Sequence, residues 1–133
     1  MKTVFSIFLL VPLLFISCNK NDDAPNIPSI EGVWTGSLVN PTSGDVTVPS
    51  VTLTIKSDKT YEIDFNSDGS IQIYGTYTYT NGQWSITDTG GDFSCDTSLT
   101  GVYSVSVTEN KLTFSLKTDD CEARRQISGV WSK

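Results

Sequence analysis

The sequence predicts an all-β fold, an eight-stranded antiparallel up-and-down barrel, and three observations support this prediction. From Ile30 onward, nearly every segment alternates apolar and polar residues with the period of a half-buried strand. Short turns rich in Asn, Asp, Ser and Gly separate these segments at hairpin spacing. No long stretch shows helical spacing. A barrel leaves no open sheet edge, although periodicity alone does not exclude a two-sheet sandwich.

Residues 1–17 are predicted to be a signal peptide that lies outside this fold. Lys2 provides the positively charged n-region of a signal peptide, and the apolar run Val4–Ile16 follows it. This run is shorter than the about 20 apolar residues that span a bilayer, so cleavage is favoured over the alternative, a short membrane-spanning anchor.

Phe15-Ile16-Ser17-Cys18 resembles a lipobox, the motif that the lipoprotein signal peptidase cleaves. With Phe15 at the place where Leu is usual, it resembles the looser form found in Bacteroidetes-type lipoproteins. The resemblance implies that Cys18 is the lipidation site, carrying fatty acids such as palmitate. It also implies a lipid-anchored protein of the cell outer membrane.

Residues 18–29 are predicted to be the lipidated tether. Asn19–Asp23 resembles the Lys-plus-acidic signal that sends such lipoproteins to the cell surface, while the leaflet itself stays open. Pro25 and Pro28 indicate a stiff, solvated spacer.

The barrel domain is predicted to span residues 30–133. Within each strand the apolar residues share one face and Thr, Ser, Gln, Lys or Glu occupy the other. The eight predicted strands are Ile30–Val39, Ser50–Lys56, Thr60–Phe65, Ser70–Thr80, Gln83–Asp88, Gly101–Thr108, Lys111–Lys117 and Gln126–Ser132.

The connections between strands are predicted to differ at the two ends of the barrel. At one end they are tight turns, with Asn81-Gly82 the strongest hairpin signal. We call this the closed end. At the other end, which we call the loop-rich end, three of the four connections are long: Asn40–Pro49, Thr89–Thr100 and Thr118–Arg125.

Cys95 and Cys121 are expected to form a disulfide, because they are the even pair left in an exported chain once Cys18 takes lipid. Both fall in loops of the loop-rich end, flanking the sixth and seventh strands. The chain-entropy model values such a crosslink at about 3.5 kcal/mol. The competing idea, a two-cysteine metal site, lacks histidine and Cys-x-x-Cys spacing, so no metal or cofactor is expected.

The domain also resembles the small bacterial lipocalin-like (calycin) proteins. Gly32-Val33-Trp34 matches the Gly-x-Trp that opens such barrels, and Gly129-Val130-Trp131 matches a closing Gly-x-Trp. The resemblance implies structural roles for Gly32, Trp34 and Trp131. Lipocalins usually pack an Arg from the end of the last strand over the first Trp, whereas here Lys133 is the cation at that place.

No residue pattern indicates an enzyme. The chain has no histidine, and Asp119, Asp120 and Glu122 are more simply interpreted as exposed loop acids than as paired catalytic carboxylates. Asp64–Gly69 begins like a calcium loop but has Gly75 where the bidentate Glu belongs, so a polar turn is favoured.

The net charge of the chain argues against some classes of binding partner. A formal net charge of −6 argues against nucleic acid. The loop-rich end is expected to be an acidic, solvated rim, through Asp45, Asp68, Asp88, Asp92, Asp96, Asp119, Asp120 and Glu122, opposed by Arg124 and Arg125.

Two functions remain open for this domain, which is expected to be monomeric. The first is binding of a small, largely apolar molecule at the loop-rich end, since an eight-stranded barrel is just wide enough to hold one. The second is a packed-core module that binds protein or glycan through its acidic loops. The predicted ligand contacts are the inward aromatic residues Tyr61, Phe65, Tyr77, Tyr79, Trp84, Tyr103 and Phe114.

Overall fold

The computed structural model describes residues 28–133 and shows an eight-stranded, closed, antiparallel up-and-down barrel. The predicted signal peptide, Cys18 and most of the tether lie outside the described residues. The elements are β1 (Gly32–Val39), β2 (Val46–Ile55), β3 (Thr60–Phe65), β4 (Ile71–Thr80), β5 (Gln83–Gly90), β6 (Thr100–Val107), β7 (Lys111–Thr118), α1 (Glu122–Arg125) and β8 (Gly129–Ser132). The predicted fold class and strand order are confirmed, and the topology is consistent with a calycin-like fold.

Strand β2 begins earlier than the alternation predicted, at Val46 instead of Ser50. A register shift lets the strand continue past Pro49: Gly36 faces Val51, whereas Leu38 faces Val48. Proline has no N–H to give to a sheet ladder, so a bulge is one of the few places where a strand accommodates it. The first long loop therefore shortens to residues 40–45.

Helix α1 is absent from the sequence prediction because one turn is too short to show a helical period. Cys121 caps it in an extended conformation, and its Sγ accepts a hydrogen bond of 3.2 Å from the Arg124 N–H. The segment from α1 to β8 then crosses to β1 and β2. The Gln126 carbonyl accepts from the Val39 N–H at 3.1 Å, and the Thr47 hydroxyl donates to the Gln126 side chain at 2.5 Å. This segment thus covers part of the loop-rich end.

The inward side chains form one continuous core. Its largest fully buried members include all three tryptophans, Tyr61, Tyr103 and Phe114. Two residues predicted to point inward are exposed where their strands end: Ile71 (42%) and Leu116 (38%). Leu116 loses cover because β8 is only four residues long and pairs with β7 no further than Phe114.

The residues that carry the lipocalin resemblance lie at the closed end of the barrel. The indole N–H groups of Trp34 and Trp131 donate to the carbonyls of Ile30 (2.8 Å) and Ile127 (3.0 Å). The Lys133 ammonium lies 4.5 Å from the centre of the Trp34 ring. A cation from the end of the last strand therefore does pack over the first tryptophan, as a lysine.

Candidate functional site at the loop-rich end

The predicted ligand contacts form an aromatic cluster in which most rings contact one another. Trp84 is central: its ring stacks on Phe114 (4.7 Å between centroids) and meets the edge of Tyr61 (5.6 Å). Tyr77 and Tyr103 complete the group at 5.9 and 6.4 Å from Trp84. These five residues are at most 3% exposed, whereas Phe65 and Tyr79 are only partly buried.

The Trp84 indole N–H has no hydrogen-bond partner among residues 28–133. Trp84 itself is fully buried. An unpaired buried donor costs roughly 1–3 kcal/mol. The aromatic faces around Trp84 offer it only weak compensation.

Above the aromatic cluster lies a buried ion-pair network, which the sequence pattern does not predict. We call Asp88, Asp119 and Arg124 the buried triad, because their exposures are 0%, 4% and 1%. The Arg124 guanidinium donates from Nε to Asp119 Oδ2 (2.7 Å) and from Nη2 to Asp119 Oδ1 (2.8 Å), a bidentate fork. Its Nη1 donates to Asp88 Oδ1 at 3.1 Å.

Neutral donors complete the hydrogen bonding of the two carboxylates. Asp119 also accepts from the Tyr103 hydroxyl (2.6 Å) and the Cys121 N–H (2.9 Å). Asp88 accepts from the Tyr61 hydroxyl and, at 2.7 Å, from the Cys95 N–H. Two carboxylates sharing one guanidinium retain a formal negative charge, which these donors stabilise.

The triad shifts the acidity of the groups around it. Burial alone would raise the pKa of Asp119, but hydrogen bonds from Arg124, Tyr103 and Cys121 outweigh it and the pKa is lowered. Burial, together with the neighbouring carboxylates, raises the pKa of the hydroxyls of Tyr61 and Tyr103 above 10.0. Asp119 therefore stays ionised, and the two phenols stay protonated, at neutral pH.

The expected disulfide between Cys95 and Cys121 is confirmed, with 6.0 Å between the Cα atoms. It joins the β5–β6 loop to the start of α1. Asp88 lies close enough to both sulfur atoms to suggest a metal site. Because both sulfur atoms are bonded to each other, they do not serve as thiolate ligands.

The buried triad corrects the prediction that the loop-rich end is an acidic, solvated rim. Asp88 and Asp119 lie inside the barrel and are paired with Arg124, not exposed on the rim. Asp88 follows Trp84 and Ile86 in the alternation, so its inward position was readable from the sequence. The pairing of Asp88 with Arg124 could not be predicted from the sequence, because a one-turn helix brings Arg124 to Asp88. The acids that do remain exposed are Asp45, Asp68, Asp92, Asp96, Asp120 and Glu122.

The Asp64–Gly69 segment forms the predicted polar turn. Asp64 is 8% exposed, and its carboxylate accepts from the N–H groups of Asp68 (3.2 Å) and Gly69 (2.8 Å). The carboxylate that would begin a calcium loop is thus used to hold the turn.

An exposed phenylalanine adds an apolar surface to this end. Phe93, in the β5–β6 loop, packs on Phe65 with 5.3 Å between ring centroids and is 56% exposed. Phe65 in turn packs against the core. The Phe93 N–H donates to the Gln72 carbonyl at 3.2 Å, next to exposed Ile71. We call Phe65, Ile71 and Phe93 the apolar edge.

No protein-family model, curated protein or solved structure matches this chain. Within residues 28–133, no helix has the length and apolarity needed to cross a membrane.

Proposed function

We propose that the protein is a membrane-anchored, lipocalin-like lipoprotein that binds a small, largely apolar molecule at the loop-rich end of its barrel. The observation that carries this proposal is the apolar edge, where a phenylalanine that is 56% exposed lies on a second, partly buried ring that packs against the core. Because part of this ring is already covered, burying the remaining 56% under a ligand is favourable by about 0.8–1.7 kcal/mol.

Geometry favours the apolar edge over the interior as the place where the ligand binds. Trp84, Tyr61 and Phe114 are already packed against one another. A ligand in the interior would have to displace these rings. A ligand that binds beside Phe65 would instead pack on the outer edge of the core and leave these rings in place. If it does reach the interior, the unpaired Trp84 N–H suits a ligand with one hydrogen-bond acceptor.

Nile red, a neutral apolar dye, tests this proposal. We expect wild-type protein to bind it and enhance its fluorescence, and we expect Phe93→Ala to raise the Kd about tenfold, through the lost apolar contact. Val33→Ala is the matched control, because Val33 is 57% exposed but lies at the start of β1, at the closed end. Equal binding by all three proteins would refute the apolar edge as the site.

Native mass spectrometry of protein purified from its own host gives an independent measurement. A retained small molecule that Phe93→Ala loses supports the proposal. A chain that never carries one favours the second candidate.

The second candidate is a packed-core module that binds protein or glycan through its acidic loops. Its support is the exposed carboxylates around the loop-rich end, among them Asp92 and Asp96 in the β5–β6 loop. Photo-crosslinking from position 96 in host cells would show a defined adduct that position 33 does not give. Identical adducts from both positions would contradict this candidate.

The lipid anchor is part of the proposal and rests on the sequence of residues 15–18. The tether enters the fold at Ile30, whose carbonyl bonds to Trp34 at the closed end. The loop-rich end would then point away from the membrane. Cys18→Ala should abolish palmitate incorporation and release the domain from the membrane fraction. Unchanged attachment would refute the anchor.

A further inference from the structure

We propose that the outer wall of the barrel carries a second binding site, for one unit of a neutral saccharide. This site is separate from the apolar edge and does not depend on the proposed function. It is a concavity of about 380 Å³ on the outer face of β4, β5 and β6, beside the β2–β3 turn. The volume is at the lower end of the range for ligand pockets, about 300–1,000 Å³.

Threonine and serine side chains form the floor of this concavity and present both hydroxyl and methyl groups, with more apolar than polar surface. Cross-strand pairing places Thr76 opposite Thr87, Thr78 opposite Ser85, and Thr87 opposite Thr100. Because paired residues of an antiparallel sheet point to the same face, their side chains form a patch about three strands wide. The Thr87 and Thr100 hydroxyls are 3.0 Å apart and bond to each other.

The edge of the concavity carries two charged residues. Asp58 and Lys59, in the β2–β3 turn, lie beside the floor, and the Lys59 carbonyl accepts from the Tyr77 N–H at 2.9 Å. Lys59 forms an ion pair with Glu31 at 3.1 Å. Hydrogen bonds from Thr60 lower the pKa of Asp58, so its carboxylate is ionised and acts as an acceptor.

This combination selects a neutral ligand with many hydroxyl groups. Each threonine or serine hydroxyl both donates and accepts, as sugar hydroxyls do, and the threonine methyl groups suit the C–H face of a sugar ring. An anion would face Asp58 and find Lys59 already paired. A wholly apolar ligand would cover the hydroxyls of Thr76, Thr78 and Ser85 and give them no hydrogen bond in place of water.

The outer surface of β5 and β6 around the concavity also suits a neutral ligand. The outward residues of β5 are Gln83, Ser85, Thr87 and Thr89, and those of β6 are Thr100, Val102, Ser104 and Ser106. None is charged, in a chain whose formal net charge is −6. A longer neutral glycan would therefore meet no charged side chain on these two strands.

Backbone amide shifts in a two-dimensional NMR titration test the proposal. The probes are glucose, galactose, mannose, fucose and N-acetylglucosamine, with glucuronate as the anionic comparison. We expect at least one neutral sugar to bind weakly, with shift changes at residues 76–78, 85–87 and 100. Thr87→Val keeps the side-chain shape but removes a hydroxyl, and should raise that Kd about three- to tenfold.

Thr113→Val is the matched control, since Thr113 lies on the outer face of β7, outside the concavity, and should leave the Kd unchanged. Three results would each overturn the proposal: no shift changes with any neutral sugar, the same affinity in Thr87→Val as in wild type, or tighter binding of glucuronate. Shift changes confined to the apolar edge would also overturn it, because the sugar would then be using the other site.

Discussion

At the scale of the residue, Arg124 organises the loop-rich end. One guanidinium binds both carboxylates of the buried triad and also donates to the Leu99 carbonyl at 3.1 Å. Asp119, Asp88 and Leu99 come from the β7–β8 connection, from β5 and from the β5–β6 loop. A lysine would offer a point charge in place of this planar fork. Arg124 thus ties together three parts of the chain that share no strand pairing at this point.

Replacing Arg124 should therefore destabilise the fold strongly. Arg124→Met leaves two buried carboxylates without their cation, and the expected loss in the free energy of unfolding is about 3–5 kcal/mol. Urea unfolding followed by tryptophan fluorescence measures it. If this variant does not fold, Arg124→Lys, which keeps the charge but loses the fork, should give a smaller, measurable loss.

Lys59→Met is the matched control. It breaks an ion pair with Glu31 whose side chains are 59% and 36% exposed, and exposed pairs contribute at most about 1 kcal/mol. Equal losses in Arg124→Met and Lys59→Met would contradict a special role for the buried triad.

At the scale of the element, the disulfide and α1 hold the loops over the barrel. Cys121 is both a disulfide partner and the N-cap of α1, so the crosslink fixes where the helix starts. The helix in turn presents Arg124 to the triad. Crosslink, cap and ion pairs are therefore neighbours in one small structure.

Removing the crosslink should cost more than chain entropy alone. Cys95→Ala combined with Cys121→Ala loses about 3.5 kcal/mol in the chain-entropy model, and it also frees the segment that carries Arg124. Urea unfolding of this variant and of reduced wild-type protein should give similar losses. A loss well below about 2 kcal/mol in both would show that the triad and α1 hold the loops without the disulfide.

The element scale also shows how far the sequence can predict this fold. Period-two alternation located all eight strands, and Asn81-Gly82 forms a turn with positive φ angles of 53° and 74°, as its hairpin signal indicates. The bulge at Pro49 was missed because a bulge breaks the alternation used to find strands. Helix α1 was missed because its start depends on Cys121, a cap held in place by a distant cysteine.

At the scale of the whole molecule, closure of the barrel puts ionisable groups where water does not reach. The unfolded chain exposes Tyr61 and Tyr103, whereas the folded barrel buries both beside carboxylates. Their folded pKa values lie above the unfolded value of 10.0. The stability due to these neutral phenols is thus fully present below pH 10 and is lost as the pH rises beyond it.

Alkaline titration tests this linkage. Phenolate absorbance should show that Tyr61 and Tyr103 ionise only as the barrel unfolds, in one step with the loss of tryptophan fluorescence. Tyr103→Phe should lower the amplitude of that step by about a third, since Tyr77 is also buried with a raised pKa and Tyr103 is one of three linked groups. Ionisation of all the tyrosines in the folded protein, before unfolding, would contradict the buried positions.

The amino-acid sequence by itself determined the eight strands and their order, because strand alternation and hairpin turns are local patterns that need no knowledge of distant contacts. The tertiary structure decided that the strands close into a barrel and do not form a two-sheet sandwich. The sequence also predicted the disulfide between Cys95 and Cys121, which the structure confirms. Only the tertiary structure decided which groups the barrel brings together. Asp88 and Arg124 lie 36 residues apart and meet because the barrel closes. Asp88 and Asp119 therefore lie inside the barrel and not on the expected rim.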